Sequence, residues 1–234
     1  MKKLTSLSIF FPFFNDEKTV KKQIGEAYTY GKQVTDHLEV IAIHGGNSID
    51  KTFEKILDQK KVYPQLKIIN KPKNNEGYAV IKYGFYVATK DWVFYTDGDS
   101  QYHLDELKKL VTHQEKTHAD VINGYKSERQ DSLIRKILGS FYNNLLHVFY
   151  ELPISDIDCD FRLIRKMYVK KIQLNSTSGA ICLELILKLK KAGAKFSQIE
   201  VSHYARIYGK SSFFRLTSIL RSLQENVLFF LDKM

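Results

Sequence analysis

Residues 7–123 alternate between two hydrophobic patterns, and this alternation restricts the possible folds more than any other feature of the sequence. Short apolar runs typical of buried strands lie at Leu7–Phe11, Leu38–Ile43, Leu66–Ile69, Trp92–Tyr95 and Asp120–Asn123. Between these runs, apolar residues recur every three or four positions, which is the spacing of one helix face. Strands that alternate with helices in this way predict an α/β fold, with a mostly parallel sheet covered by helices on both faces.

The second half of the chain has a less regular pattern. It predicts, in order, a helix over Ser132–Glu151, a strand over Phe161–Ile164, a helix over Ala180–Ala192, a strand over Lys195–Tyr204 and a helix over Arg215–Leu231. Because no repeat, low-complexity tract or clear linker separates these elements, we predict one domain over residues 1–212 and a C-terminal helical tail over residues 213–234.

The tail helix is predicted to be amphipathic. Its apolar positions are Leu216, Ile219, Leu220, Leu223, Val227 and Phe230, and its arginines are Arg215 and Arg221. Such a helix can lie in a membrane surface, or it can pack on the domain or against a second subunit in a homodimer. No apolar run approaches the roughly 18 residues that span a bilayer. The sequence therefore predicts a cytoplasmic protein, free or peripheral on the cytoplasmic face of the membrane.

Composition and missing motifs exclude several classes of protein. A hydrophobic content of 44% allows a sizeable core, and two cysteines are too few for a disulfide framework. Zinc-finger, RRM and helix-turn-helix patterns are absent, so we do not assign the net charge of +10 to nucleic-acid binding. The absence of a P-loop and of a G-x-G-x-x-G motif after the first strand argues against a P-loop NTPase and a dinucleotide dehydrogenase.

Two acids separated by one glycine directly follow the fourth predicted strand. Asp97 and Asp99 lie in the segment WVFYTDGDSQYH, residues 92–103. Ligands of α/β sheets gather at the carboxyl ends of the strands, and paired carboxylates on one turn suit a hard cation such as Mg²⁺ or Mn²⁺. Asp and Gly are also the ordinary residues of a turn, so the spacing alone leaves a metal site and a plain turn about equally favoured.

Longer motifs give this turn a context. PFFNDEKTV (12–20), VIAIHGGNSIDKT (40–52) and NNEGYAVIKYGFYVATKDWVFYTDGDSQYHLDE (74–106) resemble, in order, three segments of the family-two inverting glycosyltransferases. SDIDCDFRLIRK (155–166) and HYARIYGKSS (203–212) are similar to two elements of the dolichol-phosphate mannosyltransferase branch, which glycosylates polyprenyl phosphates. The resemblance implies a GT-A-type, Rossmann-like fold, a nucleotide-sugar donor, a lipid-phosphate acceptor and Mg²⁺ or Mn²⁺ as cofactor.

The resemblance also implies roles for individual residues. Those expected to bind substrate are Pro12, Phe14, Glu17, His44, Asp97, Gln101, Lys126 and Ser211. Those expected to act in catalysis are Asp99, Arg135 and Arg206, the two arginines by contacting phosphates of the acceptor and the donor. The expected metal ligands are Asp97 and Asp99.

The chain departs from the family pattern at several of the quoted motifs. His44 and Gly45 replace an acidic pair that usually reads the base and ribose, and Asp160 replaces a glycine. A neutral imidazole reads a base differently from a carboxylate, so the donor's base is left open. The loss of acid at His44 also raises the alternative of a degenerate protein that binds a nucleotide sugar without transferring it.

The acceptor decides whether a general base is required. A lipid monophosphate is already anionic near neutral pH, because its second pKa is about 6, and it needs no base. A sugar or protein hydroxyl does need one, and Asp156, Asp158 and Asp160 are the candidates, although acids are common in such loops. A haloacid-dehalogenase-type phosphatase also uses D-x-D, but it places the motif near the chain start.

Overall fold

A computed structural model of the chain describes residues 1–71, 77–126, 146–208 and 216–231. Its centre is a seven-stranded sheet with the order β3-β2-β1-β4-β6-β5-β7. The strands are β1 Leu7–Phe13, β2 Leu38–His44, β3 Lys67–Asn70, β4 Trp92–Thr96, β5 Val121–Lys126, β6 Phe161–Arg165 and β7 Phe196–Val201. The described sheet is parallel except for β6, which runs antiparallel to β4 and β5. The predicted mostly parallel α/β sheet is confirmed.

Helices cover both faces of this sheet. They are α1 Val20–Val34, α2 Thr52–Val62, α3 Ile81–Val87, α4 Leu107–Thr117, α5 Lys166–Val169, α6 Ile181–Lys191 and α7 Leu216–Leu231, with short 3₁₀ turns at Gly77–Val80 and Leu104–Glu106. In β1, Phe11 packs into the core beneath α1 and α4, and its neighbour Phe10 packs into the core beneath α3 and α6. Strand residues on both faces are therefore buried, which explains why β1 is apolar at every position except Ser8.

The seventh strand is shorter than the sequence predicts. The pattern predicts a strand over Lys195–Tyr204, whereas β7 ends at Val201. Beyond it, the backbone and hydroxyl groups of Ser202 donate hydrogen bonds to Glu106, at 2.9 and 2.8 Å. These bonds draw residues 202–204 away from the sheet edge and toward the turn that follows β4.

The tail helix α7 packs against the domain through polar residues, whereas its apolar pattern predicts that the apolar stripe is buried. In α7, Ser222 and Asn226 are buried, whereas Leu223 and Val227, both in the predicted apolar stripe, are 37% and 58% exposed. The carboxylate of Glu225 accepts hydrogen bonds from Thr177 and Ser178, which fixes this side of the helix to the domain. The division into a domain and a tail stays a prediction, as does the membrane role of the tail.

Two further sequence predictions concern the helix predicted in the middle of the chain and the absence of a membrane-spanning segment. Most of the predicted helix at Ser132–Glu151 lies outside the described residues, and its described part is helical at 146–149. Within the described ranges, no helix combines the length and the apolar character that a membrane crossing requires.

Candidate active site

The loops after β1, β2 and β4 meet at the carboxyl edge of the sheet, and each contains a non-glycine residue with a positive φ angle. These residues are Asn15 and Asn47, both at 56°, and Ser100, at 63°. Asparagine tolerates the left-handed region, whereas serine has no such preference and adopts it at a cost of about 1 kcal/mol. Strained backbone held in place by surrounding structure is typical of ligand sites.

Side-chain hydrogen bonds join these loops to one another. The backbone N–H of Asn15 donates to Ser48 Oγ at 3.2 Å, and the side-chain Oδ1 of Asn15 accepts the backbone N–H of Ile49 at 2.8 Å. At the start of α1, the Thr19 hydroxyl donates to the carbonyl oxygen of Gly98, in the D-x-D turn, at 2.6 Å. The three loops therefore form one connected rim rather than separate flexible segments.

Gly98 is required in the D-x-D turn because of the space available. A Cβ atom at this position would lie 2.7 Å from the carbonyl oxygen of Pro12 and would overlap the ring of Phe13. Backbone conformation does not explain the glycine, since Gly98 is not among the residues with positive φ. The turn lies directly against the end of β1, which fixes the two flanking carboxylates.

Three carboxylates of this rim are electrostatically strained. Burial, with a smaller contribution from the nearby charge of Asp99, raises the pKa of Asp16 to about 7. Burial likewise raises the pKa of Asp99, although the guanidinium of Arg206 opposes that effect. The pKa of Asp97 is raised well above its usual value by burial, by Asp160 and by Asp99. Such perturbed acids grouped at one edge of the sheet are characteristic of functional sites.

Arg206 supplies positive charge to this group of acids. Its guanidinium forms an ion pair with Asp99 Oδ2. The loop that carries Arg206 is fixed by two bonds to Gln101: the Tyr204 N–H donates to the Gln101 carbonyl oxygen, and Gln101 Nε2 donates to the Tyr204 carbonyl oxygen, both at 2.9 Å. The Tyr204 ring also stacks on His103 at 4.1 Å. The predicted residues Asp97, Asp99, Gln101 and Arg206 therefore lie together.

The donor set of the rim fits a hard divalent cation. It offers carboxylate oxygens with too little neighbouring positive charge, which is the chemistry that Mg²⁺ and Mn²⁺ prefer. Among the residues that the structure describes, no three His, Cys, Asp or Glu side chains are grouped as a complete metal site. A cation here would thus take its remaining ligands from water and from a phosphate-containing substrate, as Mg²⁺ usually does.

A second charged cluster lies next to the D-x-D turn, and its central residue, Arg162, was given no role by the sequence analysis. Arg162 on β6 is fully buried and donates hydrogen bonds to Asn123 Oδ1, the Ile157 carbonyl oxygen and, at 2.6 Å, Tyr95 Oη. The Tyr95 hydroxyl donates to Asp160 Oδ1 at 2.9 Å. Since Thr96 pairs with Phe161 in the antiparallel ladder, Asp160 comes next to Asp97.

His44 is held by the protein through both ring nitrogens. Nδ1 lies 2.8 Å from Asn70 Oδ1, which can only accept, so Nδ1 carries the proton; Nε2 lies 3.1 Å from Ser48 Oγ. The ring stacks on Phe53 at 5.0 Å and is 7% exposed. His44 lies at the end of β2 beside the rim, and its contact with a base remains a prediction.

Of the other predicted residues, four lie in the described part of the structure and two lie outside it. Glu17 is engaged with the second loop, because its Oε2 accepts the Lys51 N–H at 3.0 Å. Lys126 lies at the end of β5, where its ammonium group is 3.7 Å from Asp156. Pro12 and Phe14 flank the end of β1, next to the rim. Arg135 and Ser211 lie outside the described residues.

Asp16 is the rim carboxylate that the sequence analysis missed. Its Oδ2 accepts the N–H of Phe14 at 2.9 Å, and its own N–H donates to Thr52 Oγ1 at 2.7 Å. These bonds turn it toward Asp99, whereas Glu17 turns toward α2. The signal was present in the sequence, since the resembling motif has two consecutive acids after asparagine and only the second was selected.

A family comparison agrees with this geometry. The profile of glycosyl transferase family 2 matches residues 8–173, which include the D-x-D turn and the whole of the rim up to β6. The chain belongs to glycosyl transferase family 2. The resemblance described from the motifs is therefore confirmed at the level of the family.

Curated relatives in this family act on lipid phosphates, according to their names. The chain is 24% identical over 209 residues to a dolichyl-phosphate beta-glucosyltransferase of Trichomonas vaginalis, covering 83% of this chain and 64% of the relative. It is 27% identical over 225 residues to an undecaprenyl-phosphate 4-deoxy-4-formamido-L-arabinose transferase of Photorhabdus laumondii, covering 94% of this chain and 67% of the relative. The chain thus spans about two thirds of the length of these relatives.

Solved structures share the fold of this family member. Mannosyl-3-phosphoglycerate synthase of Rubrobacter xylanophilus superposes with a TM-score of 0.71 at 15% identity, over 95% of this chain and 74% of that one. Glucosyl-3-phosphoglycerate synthase of Mycobacterium tuberculosis, crystallised with Mn²⁺, UDP-glucose and phosphoglyceric acid, gives 0.66 at 13% identity, over 97% and 78%. At these identities the likeness is one of fold, and it confirms the predicted GT-A-type architecture.

Proposed function

We propose that this chain is an inverting glycosyltransferase that moves a sugar from a nucleotide-sugar donor to a polyprenyl phosphate, with Mg²⁺ or Mn²⁺ bound. The observation that carries the proposal is the D-x-D turn at the carboxyl edge, where Asp97 and Asp99 face Arg206 from the loop after β7. A member of family 2 that brings these three groups together has the charges that two phosphate-bearing substrates require.

The donor half of the reaction rests on Asp97 and Asp99. These two carboxylates would hold the cation, and the cation would neutralise the nucleoside diphosphate as it leaves. Arg206 lies within reach of the same place and supplies a guanidinium fork for phosphate oxygens. The rim formed by Asn15, Ser48 and Thr19 orients the donor, because its loops are fixed to one another before the donor arrives.

The acceptor half favours a phosphate over a hydroxyl. Among the candidate bases, Asp156 pairs with Lys126, and Asp160 accepts the Tyr95 hydroxyl and lies 3.7 Å from the Arg162 guanidinium. A carboxylate whose oxygens already contact protein donors and cations is poorly placed to accept a proton from an acceptor hydroxyl. A lipid phosphate needs none, because it carries its own negative charge, and its attack depends on positioning and on cations such as Arg206 and the predicted Arg135.

A transfer assay tests the proposal directly. Purified protein is incubated with Mn²⁺, a polyprenyl phosphate and each of UDP-, GDP- and CMP-sugars, and both nucleotide release and glycolipid are measured. We expect one donor to give stoichiometric glycolipid and nucleotide. EDTA should abolish the reaction, and Asp99→Asn should lower turnover by about 100-fold or more, as loss of an electrostatic stabiliser does.

Other outcomes would identify the alternatives. Nucleotide release with a sugar or protein hydroxyl acceptor, but not with lipid phosphate, would mean that the acceptor assignment is wrong. Nucleotide-sugar binding without release under any condition would indicate a protein that only binds. Unchanged turnover in Asp99→Asn would contradict the assigned role of the D-x-D turn.

A further inference from the structure

The ion pair between Arg206 and Asp99 places a protein cation on the carboxylate that the proposed function assigns to the metal. The Asp99 carboxylate is only 4% exposed and the Arg206 side chain 25% exposed, so water screens the pair weakly. Asp99 Oδ1 is also engaged, since it accepts the N–H of Gln101 at 3.0 Å. A divalent cation that bound Asp99 here would lie beside the guanidinium, and like charges at that distance repel each other.

The loop that carries Arg206 is anchored close to the turn. Tyr204 exchanges two hydrogen bonds with Gln101 and stacks on His103, and Ser202 donates two hydrogen bonds to Glu106. Arg206 follows Tyr204 by two residues, so its Cα stays within about 7 Å of the Tyr204 Cα while these contacts hold. The guanidinium can therefore leave Asp99 by a change of side-chain rotamer and still remain inside the site.

We infer that Arg206 is a counter-ion of Asp99 that exchanges partners, from the carboxylate to the donor's diphosphate, when donor and divalent cation bind together. The inference rests on the proposed function, because it takes the cation and the nucleotide sugar from it. In the absence of donor, Arg206 competes with the cation. In the presence of donor, the diphosphate receives the guanidinium and the competition ends.

This exchange makes donor and cation depend on each other. A free cation must displace a positive group from Asp99, so it binds weakly by itself. A donor without the cation would meet Asp97 and Asp99 as uncompensated negative charges, so it also binds weakly. Each ligand therefore strengthens the binding of the other, as reciprocal coupling requires.

The test measures Mn²⁺ affinity by electron paramagnetic resonance, with and without a nucleotide sugar. Without donor, Arg206→Gln should bind Mn²⁺ about tenfold more tightly than the wild type, because the competing charge is gone. With donor, the same variant should bind Mn²⁺ more weakly than the wild type, because the diphosphate has lost a partner. This reversal of sign is the signature of exchange, and a purely structural role for Arg206 would not produce it.

Three variants keep the result interpretable. Arg206→Lys retains a positive charge and should resemble the wild type without donor. Arg165→Gln removes an exposed arginine that pairs with Asp120, and it should leave both affinities unchanged. If Arg206→Gln binds Mn²⁺ no more tightly than the wild type without donor, the exchange is wrong. If Asp99→Asn binds Mn²⁺ as the wild type does with donor present, the proposed cation site itself fails.

Discussion

Two charged clusters lie on neighbouring strands of this sheet, and their charges are balanced in opposite ways. Arg162 is completely buried, and each of its guanidinium nitrogens has an acceptor, with Asp160 as the counter-ion. Asp97 lies next to Asp160 at the end of the β4–β6 ladder and is grouped with Asp99 and Arg206, and its pKa is strongly raised. The first cluster has matched charge and the second has an excess of negative charge.

The difference separates a structural charge from a functional one. A buried ion whose donors are all satisfied is expensive to disrupt, but it has no capacity left for a ligand. A group of carboxylates short of positive charge destabilises the fold and is retained where a ligand supplies the missing charge. This contrast supports our proposal that the D-x-D turn is the site, with the Arg162 cluster next to it across β4 and β6.

The largest expected effect tests the structural cluster. Arg162→Leu removes the counter-ion of Asp160 and leaves a buried carboxylate next to Asp97. We expect the free energy of unfolding to fall by about 3–5 kcal/mol, which is typical of a broken buried ion pair. Denaturant unfolding monitored by circular dichroism measures it. Arg165→Leu, on the same strand but 52% exposed at its side chain, should cost less than about 1 kcal/mol; equal losses would remove the distinction between the clusters.

The second prediction concerns the excess negative charge of the site and its pH dependence. Asp16 has a pKa of about 7 in the folded protein against an ordinary 3.8, so folding favours its protonated form. Stability is therefore lost as the pH rises from about 4 to about 7, and the loss is complete above that range. Asp16→Asn should be more stable than the wild type by about 2–4 kcal/mol at pH 8 and equal to it near pH 3.

Unfolding curves at a series of pH values measure this difference, with EDTA present. Saturating Mn²⁺ should reduce it, because the cation neutralises the neighbouring carboxylates. A constant difference between Asp16→Asn and the wild type across pH 3–8 would contradict the raised pKa. It would also weaken the view that this edge of the sheet carries unbalanced charge.

A third change tests shape instead of charge in the same turn. Gly98→Ala places a methyl group against Pro12 and the Phe13 ring, so we expect a loss of about 1–3 kcal/mol in stability, as for overpacked cores. Nucleotide-sugar affinity, measured by calorimetry, should fall with it. Gly25→Ala, in helix α1, is the control. A Cβ atom at Gly25 would meet only Tyr63 Oη, at an ordinary contact distance of 3.7 Å. That variant should keep or slightly raise stability.

The smallest expected effect concerns the way α7 is attached. Glu225 accepts hydrogen bonds from the hydroxyls of Thr177 and Ser178 at 2.6 and 2.7 Å, so Glu225→Gln should cost about 1 kcal/mol. Leu223→Ser, on the exposed side, should change stability by less than about 0.5 kcal/mol. Thermal unfolding measures both. A larger loss for Leu223→Ser would mean that the apolar side, and not the polar side, holds the helix.

The sequence was sufficient for the order of the strands and for the centre of the candidate site. Short apolar runs located the seven described strands within about three residues at each end, and the D-x-D turn and the motif of Arg206 were selected from spacing and resemblance. The direction of β6 was not predictable, because an apolar run has the same pattern in a parallel and an antiparallel strand. The Arg162 cluster was missed because it joins β4, β5 and β6, which are far apart in the chain.

Two further differences have the same origin in tertiary contacts. The end of β7 depends on Glu106 and Gln101, which attract the following loop to the site. The side of α7 that faces the domain depends on Glu225 and its hydroxyl partners, although hydrophobic periodicity favours the opposite side. In both places, polar contacts formed only in the fold override a local pattern.

The reversed direction of β6 has a consequence for how this scaffold can diversify. Strand β5 ends, and strand β6 begins, at the same rim of the sheet, so the intervening segment departs from and returns to a single border. An ion pair between Lys126 and Asp156 joins the two sides of this segment at that border. A change in the length of the chain between these two residues should therefore leave the register of β5 against β6 unchanged, because the ion pair and the ladder fix both sides.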